Sequence, residues 1–217
     1  MAAPILAQAR LAVRLVEFNV RVARFAHHSW FGEVRGVRPS ARTETGLSQW
    51  LLQEYGLDHE MDWEMSEPQK RVWLLDAPSL QRLAQELALA MHREWVLQLI
   101  DARRLRTLEA SVPAGAVNFV MGELPEGRYH HVAPQVDFDA GSPTQLATKL
   151  QEAGARTLMG LLNPGWRAVR GRAQLYFERL QRLGEVAPCE ATQRQQALVL
   201  ICEWLVPRRF AEWGWCF

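Results

Sequence analysis

Between residues 74 and 108, apolar side chains return at every third or fourth position: Leu80, Leu83, Ala84, Leu87, Met91, Trp95 and Leu99. That spacing puts them on one face of an α-helix, which advances about 100° per residue. Leu89, Val96, Leu97 and Ile100 make the opposite side apolar too. A helix that is apolar nearly all round has to be enclosed by other elements, so this segment reads as a buried central helix. Its start is marked: Asp76 and Ser79 are N-cap types, and Pro78 suits a first turn whose N–H groups have no intrahelical acceptor.

Ahead of it, Leu11, Leu15, Phe18, Val22 and Phe25 repeat at spacings of three and four, with Arg10, Arg14, Glu17, Arg21 and Arg24 one residue earlier in the same rhythm. This predicts an amphipathic helix over about residues 4–28, docked on the core with a solvated arginine face. Residues 32–46 have the Gly, Pro, Ser and Thr content of a loop, and a short helix over about 46–55 follows. The stretch "DHEMDWEMSEP" then alternates strictly, Met61, Trp63 and Met65 against Glu60, Asp62 and Glu64. A period of two requires an extended backbone.

Beyond the central helix, "DARRLRTLEASV" and "PAGAVNFVMGEL" predict two short helices, and residues 123–143 an exposed loop. Three helices complete the pattern, over about 143–162, 165–183 and 191–206. Leu146, Leu150, Leu158 and Leu162 mark the first; Trp166, Val169, Tyr176, Phe177, Leu180 and Leu183 the second; Leu198, Ile201, Cys202 and Leu205 the third. The predicted fold class is mainly α: a compact single domain over residues 1–217, of about seven to eight helices, with a buried central helix and long connecting loops.

The composition changes this picture little. A chain of 217 residues with 48% hydrophobic and 23% charged residues can bury a full core without disulfides or metals. Its net charge of +1 gives no electrostatic case for nucleic acid. The charges are nonetheless segregated, with arginines concentrated in residues 1–43 and acids in 44–76. Cys189, Cys202 and Cys216 form no paired spacing, which fits a reducing compartment. No apolar run approaches the ~18 residues of a membrane span, and Arg10, Arg14 and Glu17 interrupt any signal-peptide core. The expectation is a cytosolic protein with no direct membrane insertion.

Candidate chemistry is sparse. His92 and Glu94, two apart on a helix, point roughly 200° away from each other and cannot share a metal, so they read as packing at the margin of the buried helix. His27, His28, His130 and His131 offer four imidazoles, but adjacent histidines seldom ligate one ion, and they read as a helix end and a loop. Arg167, Arg170 and Arg172 read as a solvated helix start rather than a phosphate site. There is no P-loop, G-x-G-x-x-G, G-x-S-x-G, C-x-x-C or H-E-x-x-H. The expectation is a protein that is not an enzyme and has no cofactor, metal site or catalytic residue.

Two segments carry a family resemblance. "LLQEYGLDHEMDWEMSEP" (51–68) runs Leu-Leu-x-Glu-aromatic-x-Leu-Asp into an acidic tract and Pro. The leucine-rich helix with His92 and Glu94, followed by "IDARRLRTLEASVPAGAVNFVM", is the other. In this order they resemble the SctK family, the accessory protein of bacterial type III secretion systems. The resemblance implies a non-enzymatic cytosolic adaptor of the sorting platform beneath the injectisome. It would link the pod protein SctQ to the cytoplasmic domain of the inner-membrane ring protein SctD, and so lie at the inner membrane through protein contacts. The alternative is a helical regulatory or chaperone-like protein-binding module unrelated to secretion. Within either, Glu60, Met61, Asp62, Trp63, Glu64 and Met65 either bury their apolar side against the protein's own body or form part of a partner-binding face. Met and Trp are enriched in interface cores, and acids favour encounter with a basic surface, so the second reading is adopted.

Overall fold

A computed structural model describes residues 2–32, 42–99, 101–125, 136, 138 and 142–217. Among them the regular structure is helical and no strand occurs, so the chain is mainly α. In order come α1 (Ala2–Val20), α2 (Glu44–Glu54), α3 (Pro68–Arg71), α4 (Ala77–Met91), α5 (Arg93–Leu97) and α6 (Ala102–Ser111). Then follow α7 (Ala116–Gly122), α8 (Pro143–Gly160), α9 (Arg167–Ala173), α10 (Ala191–Val199) and α11 (Val206–Arg209), with a π-helical stretch, Leu200–Leu205, between the last two. Short 3₁₀ turns, among them Val22–Arg24 and Ala211–Cys216, fill several connections. Ile100, residues 33–41 and most of the predicted 123–143 loop lie outside the described residues.

The helical segments outnumber the seven or eight expected because α3 falls where no helix is predicted, the last predicted helix is divided by its π-helical stretch, and three others are interrupted. α1 stops at Val20 rather than continuing to about 28. The amide of Ala23, which a continuing helix would give to the Asn19 carbonyl, is bonded to Ser48 Oγ at 3.1 Å. That carbonyl accepts from Arg172 Nε at 3.3 Å instead. The central helix divides at His92, whose backbone leaves the helical region (φ −102°, ψ 24°) while its ring Nδ1 lies 2.7 Å from the Ala88 carbonyl; a side chain on the ladder is a recognised cause of a kink. The predicted 165–183 helix ends at Ala173 and gives way to 3₁₀ turns, with Arg182 left-handed at φ 48°. Leu180, expected on its apolar face, is 82% exposed.

The chain divides into two compact units. The first comprises Met1–Leu80, Leu162–Val186 and Glu212–Phe217. Its core is aromatic: Phe25 stacks on Tyr176 with centroids 4.2 Å apart, and Phe18 stacks on Phe25. The Tyr176 hydroxyl lies 2.7 Å from the Trp73 carbonyl and 3.1 Å from that of Leu75, and Trp30 Nε1 donates to the Phe177 carbonyl at 2.7 Å. These bonds satisfy the polar ends of large buried rings, which would otherwise carry a desolvation cost.

The second unit comprises Gln81–Leu161 and Ala187–Ala211. Here the α4 positions Leu83, Ala84, Leu87, Ala88, Leu89, Ala90 and Met91 are buried, as the all-round apolar pattern requires. The start of α4 belongs to the first unit, where Asp76 Oδ1 caps the helix, accepting from the Ser79 amide at 2.9 Å. Within the second unit α6 packs on α8 and α5 on α7. Gly154 of α8 lies directly on the Ala84 carbonyl: a Cβ there would stand 1.8 Å from its oxygen.

Candidate functional site

The acidic strip after α2 is the surface with the most deliberate support. Gly56 turns the chain out of α2 with φ +63°, a conformation only glycine adopts without strain. The Leu57 amide closes back on the Leu52 carbonyl at 2.6 Å. From there to Ser66 the backbone is non-helical, and neighbours rather than a sheet satisfy its polar groups. Arg172 Nη2 donates to the Leu57 carbonyl at 2.7 Å. Asn19 grips Asp62 from both sides, Nδ2 donating to its carbonyl at 2.7 Å and Oδ1 accepting its amide at 3.0 Å. Lys70 Nζ donates to Asp62 Oδ2 at 2.7 Å and to the Glu64 carbonyl at 3.1 Å, and Arg71 Nε donates to the Met65 carbonyl at 2.6 Å.

The holding groups are themselves buried: Asn19, Lys70 and Arg172 are all enclosed. Lys70 Nζ also sits 4.6 Å from the centroid of the Trp166 ring, a cation–π contact of the kind favoured when a cation is desolvated. Burial lowers the pKa of Arg172, and the carboxylates of Glu60 and Asp62 oppose that shift. Gly171 leaves the space that Leu57 fills, since a Cβ there would meet Leu57 Cδ2 at 2.3 Å.

The six predicted partner-facing residues therefore separate. Met61 and Trp63 are 47% and 50% exposed, whereas Met65 is only 4% exposed and belongs to the core. Glu60 and Glu64 face solvent, but Asp62 is committed to Lys70 and Asn19. The alternation holds for an extended segment without placing all three apolar side chains on one side. Lys70 draws Asp62 inward, and the Met65 carbonyl is tied to Arg71 in the same turn that buries its side chain.

Other sequence candidates resolve differently. His92 is packed: besides the Ala88 bond it meets Phe138 edge-on at 5.2 Å, and burial lowers its pKa. Glu94 is exposed. His27 and His28 lie with ring centroids 4.0 Å apart, and burial, then the neighbouring His28, lowers the His27 pKa. His130 and His131 lie outside the described residues. Among the described residues no group of three His, Cys, Asp or Glu is placed to hold a metal.

The arginine segment is a correction. Arg167 is solvated, but Arg172 is fully buried and Arg170 reaches the carbonyls of Leu162 and Val186 at 3.1 and 2.8 Å. Burial pushes the thiols of Cys202 and Cys216 up to about 11, so neither is a thiolate near neutral pH.

Two features escaped sequence reasoning. Ile5, Ala9, Val13, Val16 and Val20 form a second apolar stripe on α1, exposed along its length; the stronger Leu11–Leu15–Phe18 rhythm masked it. Beside it opens a cleft of about 580 Å³ lined by α1, Asp76, Ser79 and the 3₁₀ turn carrying Trp213 and Trp215. Trp213 Nε1 donates to Ser79 Oγ at 3.1 Å, and the Arg14 guanidinium lies 4.9 Å from the Trp213 ring.

A family model described as "YOP proteins translocation protein K (YscK)" matches residues 14–201. No curated protein and no solved structure matches the chain.

Proposed function

Since the chain belongs to the YscK family, the SctK proteins of type III secretion, we propose that it is a non-enzymatic adaptor of the sorting platform. It joins the pod protein SctQ to the cytoplasmic domain of the ring protein SctD, on the cytoplasmic side of the inner membrane and held there by protein contacts. No described helix is long and apolar enough to cross a membrane. Family membership also sets aside the reading of a binding module unrelated to secretion.

The observation that carries the proposal is the pair Met61 and Trp63, half exposed on a strip whose backbone is fixed by Asn19, Lys70, Arg71 and Arg172. Exposed apolar side chains on a rigid support lose little conformational entropy on docking, and tryptophan is the residue most enriched among interface hot spots. Glu60 and Glu64 frame the pair with negative charge and favour a basic partner surface.

The test uses the full chain with purified SctQ and with the cytoplasmic domain of SctD. Binding to both, and loss of one of the two with Trp63→Ala, is the expected result. Failure of the wild-type chain to bind either protein removes the adaptor reading. Unchanged binding of both by Trp63→Ala keeps the adaptor and moves its interface away from the strip.

A further inference from the structure

We propose that the 3₁₀ turn carrying Trp213 and Cys216 regulates the Met61–Trp63 strip: the two share one guanidinium, that of Arg71, so that opening either loosens the other. Its value as regulation rests on the docking role proposed above for the strip; the coupling itself does not. Arg71 Nε donates to the Met65 carbonyl at 2.6 Å, and Nη1 donates to the Cys216 carbonyl at 3.2 Å, 145 positions along the chain from the arginine. The Cys216 thiol reaches back to the Arg71 carbonyl at 3.6 Å. The turn therefore meets both the side chain and the backbone of the residue that ties down the strip. The strip, α3, Ser79 and residues 212–217 all belong to the first unit.

A guanidinium is planar and its donors point in fixed directions. With carbonyl acceptors at both Nε and Nη1 it cannot turn about its stem without stretching one bond; with one acceptor gone, it can. Arg71 also closes α3, whose Lys70 is the other cation on the strip, holding Asp62 Oδ2 and the Glu64 carbonyl. A four-residue helix has little stiffness of its own, so what fixes the end of α3 fixes the mount of the strip. The turn itself is lightly held. Trp213 and Cys216 are its buried residues, whereas Glu212 and Gly214 are exposed. Trp213 Nε1 is tied to Ser79 Oγ, and both Trp213 and Trp215 border the open cleft of about 580 Å³, which leaves that flank unpacked. Such segments open locally at a free energy below that of global unfolding. Coupling of this kind is reciprocal: a partner that docks on the strip and stiffens it tightens the turn, and whatever lifts the turn weakens that docking by the same factor.

The test uses the full chain. Opening of the turn is read as the rate at which iodoacetamide alkylates Cys216, resolved by peptide mass spectrometry from Cys189 and Cys202, since a cysteine 2% exposed reacts only when uncovered. Opening of the strip is read as deuterium exchange at the Asp62 and Glu64 amides, with the α8 amides of the second unit as the reference for global unfolding. Trp213→Phe keeps a ring in place but loses the bond to Ser79; it is expected to speed both readouts by about fivefold or more and to leave α8 unchanged. In an Arg71→Lys background, whose single ammonium lacks the planar fork, Trp213→Phe should still speed Cys216 alkylation and no longer move the strip. Should Trp213→Phe fail to fold, Ser79→Ala removes the same bond. Strip amides indifferent to the lesion in the turn, an equal rise at α8, or the same strip response in the Arg71→Lys background overturns the coupling. Saturation with SctQ or with the cytoplasmic domain of SctD, whichever loses affinity for Trp63→Ala, is expected to slow Cys216 alkylation, and an unchanged rate overturns the regulation. If the binding of neither depends on Trp63, the docking role of the strip fails and the regulation with it, while alkylation and exchange still decide the coupling.

Discussion

Arg209 reaches Glu86 across 123 positions of sequence, with Nε and Nη2 at 2.8 and 3.0 Å from the two carboxylate oxygens. Glu86 is 1% exposed and sits on α4 between the buried Leu83, Ala84, Leu87 and Ala88. Arg82 Nε adds a third bond at 2.8 Å, and Arg209 Nη2 also donates to the Ala114 carbonyl at 2.8 Å. A carboxylate in that position is tolerable only because both oxygens are paired.

Removing one side of the pair should therefore cost far more than a surface substitution. Arg209→Ala leaves Arg82 as the remaining partner of a buried carboxylate, and is expected to destabilise the protein by about 3–5 kcal/mol. Glu86→Gln, which keeps some hydrogen bonds, should cost less. Denaturant unfolding of both variants checks this; an Arg209→Ala midpoint equal to wild type would mean that Glu86 is relieved in another way.

Two glycines give opposite expectations for one change. Gly154→Ala drives a methyl group into the Ala84 carbonyl, where a Cβ would stand 1.8 Å from the oxygen. The two helices must separate, and overpacking of this kind typically costs about 1–3 kcal/mol or more. Gly46 in α2 has open space around its Cβ position, so Gly46→Ala should stabilise by up to about 1 kcal/mol through helix propensity. Thermal melts of the two variants should move in opposite directions.

Leu83, Leu87 and Met91 were legible because burial on a helix writes a period into the sequence, and the same signal found α8 and the amphipathic character of α1. It could not show where helices break. The end of α1 depends on Arg172 capturing the Asn19 carbonyl, 153 positions away, and nothing local to Asn19 records that. Nor does composition separate Arg172, wholly buried, from Arg167, solvated on the same short helix. The strip was found by its alternation, yet the pattern treated Asp62 like Glu60 and Glu64. The difference lies in Lys70 and Asn19, whose partners are set by the tertiary fold.

His92 should give the protein a pH-dependent stability. Burial depresses its folded-state pKa below the ordinary 6.5, so the folded state keeps the ring neutral while the unfolded state takes up a proton. The unfolded chain then binds more protons below about pH 6.5, and stability falls with pH through that value towards the lower folded pKa. Above about pH 7 the contribution is fully present. His92→Gln should flatten the slope of unfolding free energy between about pH 7.5 and 5 relative to wild type, leaving the share due to His27. Parallel slopes for the two proteins would show that His92 titrates alike in both states.

The strip allows support and recognition to be tested separately. Lys70→Met removes the cation that holds Asp62 Oδ2 and the Glu64 carbonyl, and with the lysine side chain 7% exposed and the Asp62 side chain 17% the expected cost is about 1–3 kcal/mol. The amides of Asp62 and Glu64, bonded to Asn19 Oδ1 and Asp62 Oδ1, should then exchange faster with deuterium, and partner binding should weaken even though Met61 and Trp63 are untouched. Glu60→Lys with Glu64→Lys changes only exposed acids, so stability should stay within about 0.5 kcal/mol of wild type. Affinity for a basic partner surface should fall, and its dependence on salt should flatten or reverse as the long-range attraction is removed. Adding Asp62→Lys to that pair is expected to lower stability as well, because Asp62 holds Lys70 whereas its two neighbours meet solvent. If the double reversal unfolds the protein while Lys70→Met does not, the exposed acids are the structural element and the assignment of roles along the strip is inverted.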